Sequence, residues 1–144
     1  MKKTLIGTTL LVLLLSACGS RVRIEQKEGQ TIGGVDVRVE EIQFRSGQFK
    51  LIGDLRMPEG DGPHPAIIMV PGDGAATRNG SVPFRPLIEI FLRNGYAVFS
   101  WDKPGSGEST GEFSDVLTQR AAILVDGIKV LTEHEFIDPG RIGL

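Results

Sequence analysis

The sequence predicts an α/β fold, a mostly parallel sheet with an antiparallel N-terminal hairpin, on three observations. Residues 35–40 and 49–55 alternate apolar and polar side chains with a period of two, as half-buried strands do. Ala66–Val70 is an uninterrupted apolar run and Ala97–Trp101 is apolar but for Ser100, the mark of strands covered on both faces. Stretches with apolar residues at helical spacing follow each of these runs. Composition sets the outer limits. The chain has 144 residues, with 16 Lys and Arg against 18 Asp and Glu, 6% aromatic residues and one cysteine. A net charge of -2 offers no basic patch and few stacking platforms, which argues against nucleic acid as a partner. One cysteine forms no internal disulfide, and no Cys/His set has zinc-ligand spacing.

In chain order, Met1–Lys3 supplies a positive segment, Leu5–Leu15 an apolar run interrupted only by Gly and Thr, and Ser16–Ala17 two small residues before Cys18. Residues 1–17 read as an export signal, because a helix of that length spans only about half of the roughly 30 Å hydrocarbon core. Leu15–Ser16–Ala17–Cys18 resembles the lipobox of bacterial lipoproteins, in which the cysteine is acylated and becomes the first mature residue. Cys18 is accordingly the expected lipid-attachment site, and several acyl chains together give stable anchoring where one is marginal. Gly19, rather than Asp, after the cysteine points to the outer membrane if the cell is Gram-negative. Residues 18–34 are expected to be a tether, although Arg21–Glu25 alternates like a strand.

Residues 35–144 are the folded unit. Ser46–Gly47 is the turn between the first two alternating strands, and the Pro/Gly-rich stretch 58–65 leads into the buried strand 66–70. Leu87, Ile88, Phe91 and Leu92 make a helix ended by Gly95, completing one strand–helix–strand crossover with 97–101. A longer helix from Ser114 to about Thr132 carries Leu117, Ala121, Leu124, Ile128 and Leu131 on one face. Asp138–Pro139 ends that segment and Arg141–Leu144 begins a third buried strand.

This order of elements, with Gly62–Gly74, Trp101–Ser109 and Asp138–Leu144 in register, resembles the first half of an α/β-hydrolase. The three segments are similar to the family's third strand and oxyanion loop, the Asp-x-Arg-Gly-x-Gly-x-Ser loop after its fourth strand, and the lead into its fifth. In serine esterases and prolyl-oligopeptidase-like hydrolases of this family, the fifth strand runs into a Gly-x-Ser-x-Gly nucleophile elbow. The resemblance therefore implies a sheet truncated at its fifth strand, with nucleophile, acid and base beyond Leu144, and a chain inactive by itself. It further implies a lipoprotein of the cell envelope that, at full length, hydrolyses ester, amide or peptide bonds of a small-molecule or peptide substrate by a serine mechanism, without a cofactor. The alternative is a non-catalytic, surface-tethered binding or remnant lipoprotein on the same scaffold.

Within the chain, the resemblance places the oxyanion-hole backbone at Gly72, Asp73 and Gly74, with the Asp73 N–H as donor. Gly107–Glu108–Ser109–Thr110–Gly111 matches Gly-x-Ser-x-Gly literally, but Ser109 lies eight residues beyond Trp101 in a loop rather than in a sharp strand-to-helix turn. His134, flanked by Glu133 and Glu135, reads as a solvated residue near a helix C-terminus, and His64, between Pro63 and Pro65, as a loop residue. Neither is a convincing base, and Asp126 lies only eight residues before His134. Gly72-x-Gly74 and Gly105-x-Gly107 miss the dinucleotide pattern at Thr77 and Thr110. Glu108, Glu112 and Asp115 read as a solvated loop, so no metal site is expected.

Overall fold

A computed structural model describes residues 22–80 and 84–144. Residues 1–21, and with them the export signal and Cys18, lie outside the described residues. The elements are β1 (Arg23–Gln26), β2 (Gln30–Ile32), β3 (Val35–Ser46), β4 (Phe49–Pro58), β5 (His64–Ile68), α1 (Phe84–Arg93), β6 (Ala97–Trp101), α2 (Leu117–Thr132) and β7 (Ile137–Gly143). The strands form one mixed sheet in the order β1-β3-β4-β6-β5-β7, with β2 also paired to β3. The N-terminal part is antiparallel through β4 and β6, and β6, β5 and β7 run parallel.

The Ser46–Gly47 turn fixes the hairpin. Gly47 has φ +55°, and Ser46 faces Phe49, so each β3 residue from Val37 to Ser46 meets the β4 residue that the two-residue turn dictates. Part of the expected tether 18–34 lies in this sheet, as the strand-like alternation from Arg21 to Glu25 suggests. Arg23–Gln26 pairs with Gln43–Glu40, and Gln30–Ile32 with Val37–Val35. Both are mostly exposed strands held through their backbones, so hydrophobic patterning barely marks them.

The two faces are covered by different helices. Ile123, Val130 and Leu131 of α2 pack with Phe44, Leu51, Leu55, Phe99 and Trp101. Ile88 and Leu92 of α1 pack with Val37, Val39, Met69 and Val98. Helix α1 ends as expected: Gly95 has φ +81°, and its N–H donates to the Leu92 carbonyl at 3.0 Å. Helix α2 differs from its expected form in its start and in part of its face. It begins at Leu117, and the Ser114 hydroxyl instead accepts from the Val116 N–H at 3.3 Å. Of the expected face, Leu131 is buried and Leu124 and Ile128 pack half-buried against the core, but Leu117 is 74% exposed, and the other buried residues are Ile123, Gly127 and Val130. The close approach is at Gly127, where a Cβ would lie 3.1 Å from the Trp101 ring. The third parallel strand starts earlier than expected, at Ile137, and takes in Pro139. Between Ile137 and Ile142 the register to β5 shifts, so the proline sits in an irregularity where no ladder hydrogen bond is required.

Candidate active site

The chain leaves β5 through Met69–Val70 into Pro71–Gly72–Asp73–Gly74 and leaves β6 through Asp102–Ser109. The connection from β5 leads to α1 on one face, and that from β6 leads to α2 on the other. The carboxyl ends of neighbouring strands whose connections diverge in this way are where open α/β sheets bind ligands.

The Pro71–Gly74 backbone is held from one side. Lys103 Nζ donates to the Gly72 carbonyl at 2.5 Å and the Gly74 carbonyl at 2.7 Å, and meets Asp115 Oδ1 at 3.2 Å. Arg120 Nη2 donates to the Pro71 carbonyl at 2.9 Å, and its Nη1 meets Asp73 Oδ1 at 3.2 Å. The Gly74 N–H donates to Asp115 Oδ2 at 3.4 Å. The Asp73 N–H has no partner among the described residues. A Cβ built on Gly72 or Gly74 would touch nothing within 4 Å, so open space lies beside the turn.

A buried ionic cluster lies next to this loop, and nothing in the sequence reading anticipated it. On the α1 side of the sheet, Glu41 of β3 faces Asp54 of β4, which faces Ser100 of β6. Two carboxylates directly opposite each other repel, and two cations bridge them. Lys27 lies 2.8 Å from Glu41 and 3.1 Å from Asp54, and Arg78 lies 3.2 Å from each. Arg78 also reaches Asp102 at 2.9 Å and Glu108 at 2.6 Å. Burial works against the Arg78 charge, but Glu108, Asp54 and Asp102 outweigh it and hold its pKa above the ordinary value. Arg56 bonds Asp54 and Ser100, yet burial pulls its pKa below the usual arginine value.

Asp102 joins the two loops. Its carboxylate accepts from the Arg78 N–H at 2.7 Å and the Glu108 N–H at 2.9 Å. Gly107 has φ +51°, and a Cβ there would collide with that carboxylate, so a side chain is excluded twice over.

Ser109 is 8% exposed, and its Oγ accepts from the Ile52 N–H at 3.0 Å, while Thr110 Oγ1 accepts from the Lys50 N–H at 2.9 Å. The literal Gly-x-Ser-x-Gly match is thus a clasp that docks its loop on β4. A fluorophosphonate is expected to leave Ser109 unlabelled by peptide mass spectrometry. Ser109→Ala is expected to lower unfolding stability by about 1–3 kcal/mol, because it leaves the buried Ile52 N–H unpaired.

The histidines fall elsewhere. His64 is the first residue of β5, at the strand's opposite end from Pro71–Gly74. His134 is buried rather than solvated, which corrects the expectation. Its Nε2 lies 2.8 Å from Glu40 Oε2 and its Nδ1 accepts from the Phe136 N–H at 3.3 Å, so the ring ties the end of α2 to β3. Asp126 meets Lys129 at 3.0 Å on the helix surface. A cavity of about 430 Å³ lined by Lys27, Arg38, Glu59, His64 and Phe136 lies at the amino-terminal end of β5, away from the loop. Beneath the loop, Pro71, Trp101, Lys103 and Ile123 enclose about 20 Å³, room for one water. No helix among the described residues is long and apolar enough to cross a membrane.

No family model matches the chain. Over 90 residues it is 37% identical to the 2,6-dihydropseudooxynicotine hydrolase of Paenarthrobacter nicotinovorans, a stretch covering 54% of this chain and 23% of that protein. Acetyl xylan esterase 1 of a Thermoanaerobacterium species superposes with a TM-score of 0.64 at 14% identity, over 87% of this chain and 45% of the other. The structure of a 2,6-dihydroxy-pseudo-oxynicotine hydrolase gives 0.54 at 25% identity, over 84% and 29%. An esterase of Pyrococcus furiosus gives 0.57 at 23% identity, over 72% and 38%. The chain spans about a quarter of the curated relative's length and less than half of each of these structures.

Proposed function

We propose that this chain, which has the α/β-hydrolase fold, belongs to a serine hydrolase that cleaves esters of small acyl groups and is lipid-anchored in the bacterial cell envelope through Cys18. The observation that carries the activity is the Pro71–Gly74 turn at the carboxyl end of β5. Its Pro71, Gly72 and Gly74 carbonyls are bonded away, and its Asp73 N–H is without a partner among the described residues, beside open space. A donor in that state stabilises the oxyanion of a tetrahedral intermediate. The nucleophile, acid and base belong to sequence following Leu144, since Ser109 is a buried clasp, His64 begins β5 at the end away from the turn, and His134 is buried against Glu40. The esterase names among the structural relatives support an ester substrate, and the lipobox-like Leu15–Cys18 supports the anchor.

The test is hydrolysis of p-nitrophenyl acetate by the full-length native protein, with fluorophosphonate labelling and membrane fractionation. Turnover with a labelled serine beyond residue 144, and loss of membrane association in Cys18→Ser, are the expected results. A full-length protein that neither turns over the ester nor takes the label overturns the hydrolase reading.

A further inference from the structure

Resting on that reading, we propose that Lys103 and Arg120 are positioning residues that set the oxyanion hole by pulling the loop's carbonyls to one side. Lys103 is buried, and its ammonium spends its donors on the Gly72 carbonyl, the Gly74 carbonyl and the Asp115 carboxylate. A lysine has three N–H donors, so this ammonium is saturated by the loop and its one carboxylate partner. In a trans peptide the C=O and the following N–H point in opposite directions. Fixing the Gly72 carbonyl on Lys103 therefore turns the Asp73 N–H away from the protein's cations. Fixing the Pro71 carbonyl on Arg120 turns the Gly72 N–H the same way. Pro71 is buried, but Gly72, Asp73 and Gly74 are exposed and a Cβ on Gly72 or Gly74 would meet nothing, so packing does not fix the orientation of these peptides. The two cations hold it, from the β6 loop and from the first turns of α2. A rigidly pre-aimed N–H stabilises developing charge without reorganising during the reaction, which is worth more in the transition state than in the ground state.

The experiment compares the full-length native protein with Lys103→Met and Arg120→Met, reading kcat and KM for p-nitrophenyl acetate and the inhibition constant of phenylboronic acid. The boronate forms a tetrahedral anion on a serine and reports the oxyanion hole. Lys103→Met is expected to lower kcat by about 100-fold, the effect of misplacing a reacting group by about 1 Å, with KM changed less than about threefold. The boronate constant is expected to rise in parallel with the loss of kcat. Arg120 is partly exposed, so Arg120→Met keeps the fold, and it is expected to show the same pattern more weakly. Should Lys103→Met fail to fold, Arg120→Met decides alone. Boronate affinity and kcat per active site at native values in the folded variants would overturn the inference. A native protein that neither hydrolyses the ester nor binds the boronate would overturn the hydrolase reading instead.

Discussion

Arg78→Met is expected to destabilise the protein by about 3–5 kcal/mol, the cost of leaving buried charges without their partner. Arg78 is the cation shared by Glu41, Asp54, Asp102 and Glu108. Without it, Asp102 remains fully buried with only backbone donors, Glu41 keeps Lys27, and Asp54 keeps Lys27 and Arg56. Domains of this kind are stable by about 5–15 kcal/mol, so the loss consumes a large share of the total. Urea unfolding followed by tryptophan fluorescence reads it through Trp101, which lies just before Asp102. Glu108→Gln provides the internal comparison. Its bond to Arg78 is short at 2.6 Å, but Glu108 is 64% exposed, and a solvated ion pair contributes about 0–1 kcal/mol. Equal losses from the two substitutions would show that the burial of Asp102 and Asp54 does not control the cluster's energetics.

The same cluster shows what the sequence could and could not carry. The strands and the crossover were legible, because apolar runs and the Ser46–Gly47 turn are local signals. That turn also sets the register in which Glu41 meets Asp54, so two facing acids were implicit in the hairpin. Their cations were not, since Lys27 and Arg78 come from outside the hairpin and follow no spacing rule. His134 escaped for a similar reason: its partner Glu40 is 94 residues away, while its neighbours Glu133 and Glu135 suggested a solvated face. The apolar spacing of α2 places Leu124, Ile128 and Leu131 against the core but does not single out Ile123 and Val130, because the helix has apolar residues on more than one side, with Leu117 and Val125 exposed. Gly127, which decides the packing on Trp101, adds nothing to an apolar stripe. At the site, the turn announced itself through its glycines, whereas Lys103 and Arg120 reach it across 31 and 49 residues of chain.

Asp73→Pro is expected to lower kcat of the full-length enzyme by about 10²–10³-fold, the usual cost of removing one oxyanion donor. Proline has no backbone N–H, so the substitution deletes the proposed donor itself. Substitution by alanine separates that donor from the side chain. Asp73→Ala keeps the N–H and removes a carboxylate that is 92% exposed and paired only with Arg120, which still holds the Pro71 carbonyl. Its kcat is expected to stay within about threefold of native, because exposed ion pairs contribute little. KM should move little in either variant, since the N–H bonds an oxyanion that the ground-state ester has not yet formed. The Asp73 N–H has no partner among the described residues, so the proline breaks only the exposed Asp73–Arg120 ion pair, which the alanine variant loses as well. Melting temperatures within a few degrees of native should therefore accompany the kinetic loss. A proline variant with native kcat would place the oxyanion donor elsewhere in the protein, and an alanine variant as slow as the proline one would move the role from the Asp73 backbone to its carboxylate.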